Sequence, residues 1–364
     1  MTELATTAAR AAIDAYTDPF LGILGEIKAI TALTVTAAEV HASLRLPIPV
    51  TGYKTRLQMA LQTELQRAGM AQKLILDLAA EIPARAVQKP LKPMPGIRNI
   101  VAVGSAKGGV GKSTVAANLA LAWAAMGARV GLLDADIYGP SQPLLLGVVG
   151  QRPETVENKR ILPLQAHGIK LMSIGLLIDA GAPAIWRGPM VTQALTQLLA
   201  DTEWGELDYL VIDLPPGTGD LQLTLAQKVP VAGAVVVTTP QEIAVADARK
   251  GLRMFEKMSI AVLGVVENMS THVCSNCGHE EAIFGDGGGA RLAEESGVAL
   301  LAKLPLDSRV RAESDSGRPT VVAAPDSPRG QAYLEMAWRT AAELARRPRD
   351  RSSAFPGIVV ERAS

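Results

Sequence analysis

Apolar residues follow two different rhythms along this chain, and the change comes just before residue 100. In the first part they alternate or recur at helical spacing. The segments Ile27–Val35 and Val40–Leu46 alternate apolar and polar positions and predict a hairpin, ended by Pro47 and Pro49. Leu57, Leu61 and Leu65 lie one helical turn apart, with Arg56, Glu64 and Arg67 on other faces. A helix is expected over Glu3–Tyr16 and a closing strand over Lys73–Leu78. Together these predict a small α+β unit over residues 1–82. Pro83, Pro90, Pro93 and Pro95 predict a stiff, extended linker over residues 83–97.

From Asn99 the apolar positions become consecutive. The runs are Ile100–Val103, Arg129–Leu133, Lys170–Ile174, Tyr209–Ile212, Ala234–Val237, Val262–Val266 and Ala299–Leu304. Short continuous runs of this kind suit parallel strands covered on both faces. Helices are expected between them at Val115–Met126, Val191–Ala200, Ile243–Met258 and Ala290–Ser296. The alternation predicts a doubly wound α/β domain with a mostly parallel sheet over residues 98–346. Such a fold collects ligands at the carboxyl ends of its strands. Residues 347–364, with Arg347, Pro348, Arg349 and Arg351, read as a solvated tail.

Composition narrows the function classes. Lys and Arg together number 36, as do Asp and Glu, so a strongly basic nucleic-acid surface is not indicated. Aromatic residues make up only 4%, too few for base-stacking platforms. No apolar run is long enough to span a bilayer, and Met1–Leu4 lacks a secretory pattern. The last helix candidate, Arg329–Arg346, carries Glu335 and Glu343 and reads as a packing helix, not a lipid anchor. The expectation is a cytoplasmic protein with neither membrane nor nucleic-acid partners.

The densest chemistry is the run Gly104–Thr114, G-S-A-K-G-G-V-G-K-S-T, between a predicted strand and a predicted helix. This is the context of a phosphate-binding loop. Gly108, Gly109, Val110 and Gly111 would turn successive backbone N–H groups inward, and the helix beginning at Lys112, Ser113 and Thr114 would add its positive end. Lys112 is expected on the β- and γ-phosphates and Ser113 on Mg²⁺. Ala106 stands where the strict pattern has glycine. Lys107, a second lysine inside the loop, has the reach to serve the phosphate of a facing subunit in trans, as an arginine finger does.

Two further strand ends carry carboxylates. Asp134 and Asp136 follow one strand; Asp134 is expected on the metal side and Asp136 on the attacking water, against the alternative of a helix cap or turn. Asp213 opens D-L-P-P-G-T-G-D, a Walker-B arrangement for Mg²⁺, where the alternative is a Pro-Gly turn. Asn268 offers both a donor and an acceptor suited to the edge of adenine, or it satisfies a turn.

The chain has only two cysteines, Cys274 and Cys277, too close together to staple a fold of this size. Cys-x-x-Cys presents two thiolates to one soft metal centre, which is half of a zinc or [4Fe–4S] site. The rest would come from His272 and His279 or from the same pair of a second subunit across a two-fold axis. A redox dithiol and a mononuclear zinc clasp compete on spacing alone.

With Lys107 added to K-G-G-V-G-K-S-T, the loop resembles the deviant Walker A class of ATPases, which includes MinD, ParA and the nitrogenase iron protein. Within it, D-A-D-I-Y-G-P-S (Asp134–Ser141), D-L-P-P-G-T-G-D (Asp213–Asp220), V-E-N-M-S followed by C-S-N-C (Val266–Cys277) and I-F-G-D-G-G-G (Ile283–Gly289) resemble the Mrp, or ApbC-like, iron–sulfur carrier ATPases. The resemblance runs from Ile97 to about Val322, and Leu304–Asp307, with Pro305, matches the family's adenine-side segment. The N-terminal unit resembles the small domain that often precedes such an ATPase. The resemblance implies a homodimer with ATP, Mg²⁺ and a labile [4Fe–4S] cluster, slow hydrolysis, and delivery of the cluster to client apo-proteins. It implies phosphate contacts for Lys107 and Lys112, Mg²⁺ for Ser113 and Asp213, water for Asp136, adenine for Asn268 and the cluster for Cys274 and Cys277. A positioning switch of the MinD or ParA type is the alternative.

Overall fold

The computed structural model describes residues 2–156, 160–177, 188–274 and 276–350. The N-terminal part opens with α1 (Thr2–Ala15), followed by the small bridge of β1 (Thr17–Asp18) and β2 (Gly22–Ile23). The expected hairpin is β3 (Ile30–Val35) against β4 (Glu39–Leu46). α2 (Lys54–Arg67) then buries Leu57, Leu61 and Leu65, and β5 (Lys73–Ala80) joins β4 in parallel. Eight-residue β4 buries alternate positions at Val40, Ala42, Leu44 and Leu46, as a sheet with one covered face requires.

The remainder is one nine-stranded sheet with helices on both faces. Its strands are β6 (Ile97–Gly104), β7 (Val130–Asp134), β10 (Leu164–Ala166), β11 (Ile169–Ser173), β12 (Leu207–Asp213), β13 (Gly233–Thr238), β14 (Val262–Val273), β15 (Glu280–Glu281) and β16 (Ala299–Leu306). The small pair β8 (Thr155–Val156) and β9 (Arg160–Ile161) stands apart. The order is β10-β11-β7-β12-β6-β13-β14, with β16 beside β14; only β10 and β15 run antiparallel to their neighbours. Every residue of β12 and β13 is buried, which is why these strands read as unbroken apolar runs.

The connecting helices are α3 (Lys112–Ala125), α4 (Gln142–Leu145), α5 (Gly188–Asp201), α6 (Asp220–Lys228), α7 (Glu242–Lys257), α8 (Gly288–Glu295), α9 (Ser308–Asp315), α10 (Thr320–Ala323) and α11 (Pro328–Ala345). α3 is buried almost all round, and its Trp123 stacks on Tyr209 of β12 with ring centroids 4.1 Å apart.

The N-terminal elements have their own sheet, but their apolar side chains continue into the core of the larger part. Trp338 of α11 sits between Phe20 and Tyr53, 5.9 and 5.3 Å away by ring centroid, and donates its indole N–H to the Pro49 carbonyl at 3.3 Å. The proline-rich segment expected to be a stiff linker is tied down. Gln88 is buried, donating to the Ala226 and Val229 carbonyls and accepting from the Val231 N–H. The start of the expected tail is pinned with it. The Ala86 N–H donates to the Pro348 carbonyl and the Asp350 N–H to the Ala84 carbonyl, both at 2.9 Å. Residues 351–364 lie outside the described residues.

Candidate nucleotide and thiol site

The phosphate loop connects β6 to α3. Gly109 and Gly111 both take φ of +81°, a left-handed conformation that costs glycine nothing. A Cβ at Gly108 or Gly109 would meet open space, whereas one at Gly111 would collide with the Asn268 amide. The cradle is therefore open on its outer side and tightly backed on its inner side. Ser105 steadies it by donating to the Lys107 carbonyl at 2.9 Å. Ala106, the departure from the glycine pattern, lies alongside Gly251 of α7, where a side chain larger than hydrogen would touch its methyl. Lys107 is exposed.

Lys112 points inward. Its ammonium is buried and pairs with the fully buried Asp213 at the end of β12, and it lies 3.3 Å from the Ser113 hydroxyl. Asp134, at the parallel end of β7, is also fully buried. It accepts from the Asp136 N–H at 3.1 Å, the Gln142 N–H at 3.0 Å and the Ser173 hydroxyl at 3.1 Å. Burial, and secondarily the Asp213 carboxylate, push its pKa up to about 7. Asp136 is half-buried, accepts from the Gly139 N–H at 3.3 Å, and is raised mainly by burial.

Two buried carboxyl groups thus face one ammonium: Lys112 offsets Asp213, and Asp134 stands ready to give up its proton to a bound cation. Open glycines, the α3 N-terminus and this acidic pair fit a triphosphate with Mg²⁺. The loop after Asp213 returns to the cradle, its Gly217 N–H donating to the Ser105 carbonyl at 2.9 Å.

Asn268 lies inside β14, a strand that continues well past the apolar run ending at Val266. Its Nδ2 donates to the Val110 carbonyl of the phosphate loop at 2.8 Å. That uses one of the two N–H donors of the amide and leaves the second, with Oδ1, for the adenine edge expected of Asn268. Next to it, Met269 has φ of +57°. Pro305, on β16, lines a cavity of about 440 Å³ with Ser270, Lys303, Asp307 and Arg309.

β14 and β15 form a hairpin whose turn holds both cysteines. The Cys274 N–H donates to the His279 carbonyl and the Gly278 N–H to the Cys274 carbonyl, each at 2.9 Å. Cys274 is half-buried and Cys277 exposed. Backbone N–H groups of Cys277 and Asn276, with the Cys277 thiol behind them, hold the Cys274 thiol below its usual range. The one-chain clasp with two histidines is not assembled. His272 turns its ring to the Leu306 carbonyl at 3.3 Å, and among the described residues no three His, Cys, Asp or Glu side chains gather as a metal site.

The profile of ParA proteins described as NUBPL iron-transfer P-loop NTPases matches residues 96–341. The chain belongs to this family. It is 56% identical over 263 residues to an iron–sulfur cluster carrier protein of Pseudomonas fragi, covering 72% of this chain and 92% of that one. It is 48% identical over 324 residues to the protein of the same name from Escherichia coli, covering 88% and 87%. Among solved structures, a nucleotide-binding protein from Archaeoglobus fulgidus in complex with ADP is similar at 40% identity and a TM-score of 0.57, covering 66% of this chain and 93% of that one. The expected P-loop NTPase fold and family resemblance are therefore established.

Two residues beside the site were not legible in the sequence. Gln142 touches Ser113, Asp213 and Asp134 at once. Glu267, fully buried, accepts from the Gly289 N–H at 2.6 Å and fastens the start of α8 to β14. Neither carries a periodic signal, because each acts through hydrogen bonds distant in sequence.

Proposed function

We propose that this protein is an ATP-dependent carrier of iron–sulfur clusters. Two copies clasp ATP at facing phosphate loops, hydrolyse it slowly, hold a [4Fe–4S] cluster between their two Cys274–Cys277 pairs, and pass it to apo-protein clients in the cytoplasm. The observation carrying this reading is strand β14. It grips the phosphate loop through Asn268 and ends at the thiol hairpin, so nucleotide and cargo share one element. The family membership supports the same reading, as does the ADP in a relative 40% identical.

In this reading backbone N–H groups from Gly108 to Thr114 receive the phosphates. Lys112 exchanges Asp213 for phosphate oxygen, which frees that carboxylate to serve Mg²⁺ together with Ser113, with Asp134 behind. Mg²⁺, when bound, neutralises charge between the outer phosphates. Asp136 orients the attacking water, and the exposed Lys107 reaches toward the facing copy. Asn268 and Pro305 border the adenine. The lowered Cys274 thiol suits ligation of iron, because the thiolate is the ligand.

Anaerobic reconstitution with iron and sulfide tests the proposal. One cluster per two chains is expected. Cys274→Ala should lose the cluster and keep ADP binding. A chain that stays monomeric with ATP and free of iron under anoxia refutes the reading. ATP-stimulated sedimentation with vesicles would point to the positioning switch instead.

A further inference from the structure

Gln142 occupies the first turn of α4, immediately after the Asp134–Ser141 loop, and its side chain is fully buried. Its Nε2 donates to the Ser113 carbonyl at 3.0 Å and to the Asp213 carboxylate at 2.8 Å. Its backbone N–H donates to Asp134 at 3.0 Å. One residue thereby ties the first turn of α3 to the ends of β7 and β12. The amide orientation follows from its partners, since the reverse would set Oε1 against a carbonyl and a carboxylate. Oε1 is left buried with no donor. A buried acceptor without a partner is costly, and the site around it is polar and already acidic. A neutral amide also braces Asp213 without cancelling its charge, which a lysine or arginine in its place would do.

We propose that Gln142 is a positioning residue of the metal–nucleotide site: its Nε2 holds Asp213 and the first turn of α3 in register, and its Oε1 accepts from a water bound to Mg²⁺. This rests on the reading of Ser113 and Asp213 as the groups that serve Mg²⁺. It adds a residue that acts through them and that no phosphate-loop pattern includes.

The test is a split between binding with and without metal. Affinity for a fluorescent ADP analogue is measured in excess Mg²⁺ and in EDTA for the full chain, Gln142→Met and Ser113→Ala. For Gln142→Met the affinity in EDTA should stay within about twofold of the original. The gain conferred by Mg²⁺ should fall about tenfold, and excess Mg²⁺ should restore turnover. A folding defect would lower both affinities together, and that result overturns the proposal, as does an unchanged Mg²⁺ gain. Gln142→Asn, whose amide falls short of spanning Ser113 and Asp213, gives a second measurement with the same expected split if the Met variant does not fold. If Ser113→Ala keeps the full Mg²⁺ gain, the assignment of the metal site fails and this proposal falls with it. If Ser113→Ala loses the gain while both Gln142 variants keep it, the proposal alone fails.

Discussion

Replacing Lys112 by methionine should destabilise the protein even where no nucleotide is present. A phosphate-loop lysine that serves only its ligand would leave the fold indifferent to its loss. Here the Lys112 side chain is 6% exposed and its partner Asp213 is wholly buried. Without the ammonium, Asp213 keeps one neutral donor, the Gln142 amide, and still faces Asp134. Breaking one side of a buried pair costs about 3–5 kcal/mol, because the other charge is stranded. That is a large fraction of the roughly 5–15 kcal/mol that stabilises a typical domain. Removing both charges, in Lys112→Met with Asp213→Asn, should recover most of the loss. Urea denaturation without nucleotide reads each variant, and the double-mutant cycle isolates the coupling. If Lys112→Met lies within about 0.5 kcal/mol of the original chain, the size expected of an ordinary surface change, the buried Asp213 does not depend on the ammonium for its stability.

Two other outcomes follow from the same geometry. The folded chain holds a proton on Asp134 up to about pH 7, whereas the unfolded chain releases it near the ordinary value of 3.8. Native stability from this group is therefore full below 3.8 and falls as pH rises toward 7, and Asp134→Asn should flatten that slope in denaturation midpoints; an unchanged slope would remove Asp134 as its cause. Trp338→Ala, at the joint with Phe20 and Tyr53, should cost about 2–3 kcal/mol, less than a fully buried tryptophan. Limited proteolysis should then cut residues 83–97 faster while ADP binding persists, and an unchanged digestion pattern would refute the joint.

Much of this architecture is written in local pattern. β12 and β13 are recognisable because parallel strands buried on both faces need consecutive apolar residues through their middle, as at Tyr209–Ile212 and Ala234–Val237. α2 is recognisable because Leu57, Leu61 and Leu65 must share one face. The phosphate loop is legible because only glycine accepts the left-handed turns at 109 and 111. What escaped has a different physics. Gln88 and Arg85 look like ordinary linker residues, yet Gln88 satisfies carbonyls at the end of α6, and Arg85 donates to the Arg347 carbonyl at 2.7 Å. The extension of β14 beyond Val266 was hidden because Glu267, Asn268 and Ser270 are polar but buried, each held by a specific partner.

The ladder around β14 has one gap. Its pairing with β13 ends at Glu267, and its register with β16 breaks after Asn268 and resumes at His272. Across the gap, Ser270 is fastened by its hydroxyl to the Leu304 carbonyl, and Met269 carries the left-handed bend. A strand laddered on both sides resists sliding along its axis. Beyond Met269 the arm leading to Cys274 is tied to β16 alone among the long strands, through Ser270 and His272, whereas the end beside the phosphate loop is held by β13 and β16 together. The two ends of one strand thus differ in how firmly the sheet restrains them, and the cysteines sit at the less restrained end.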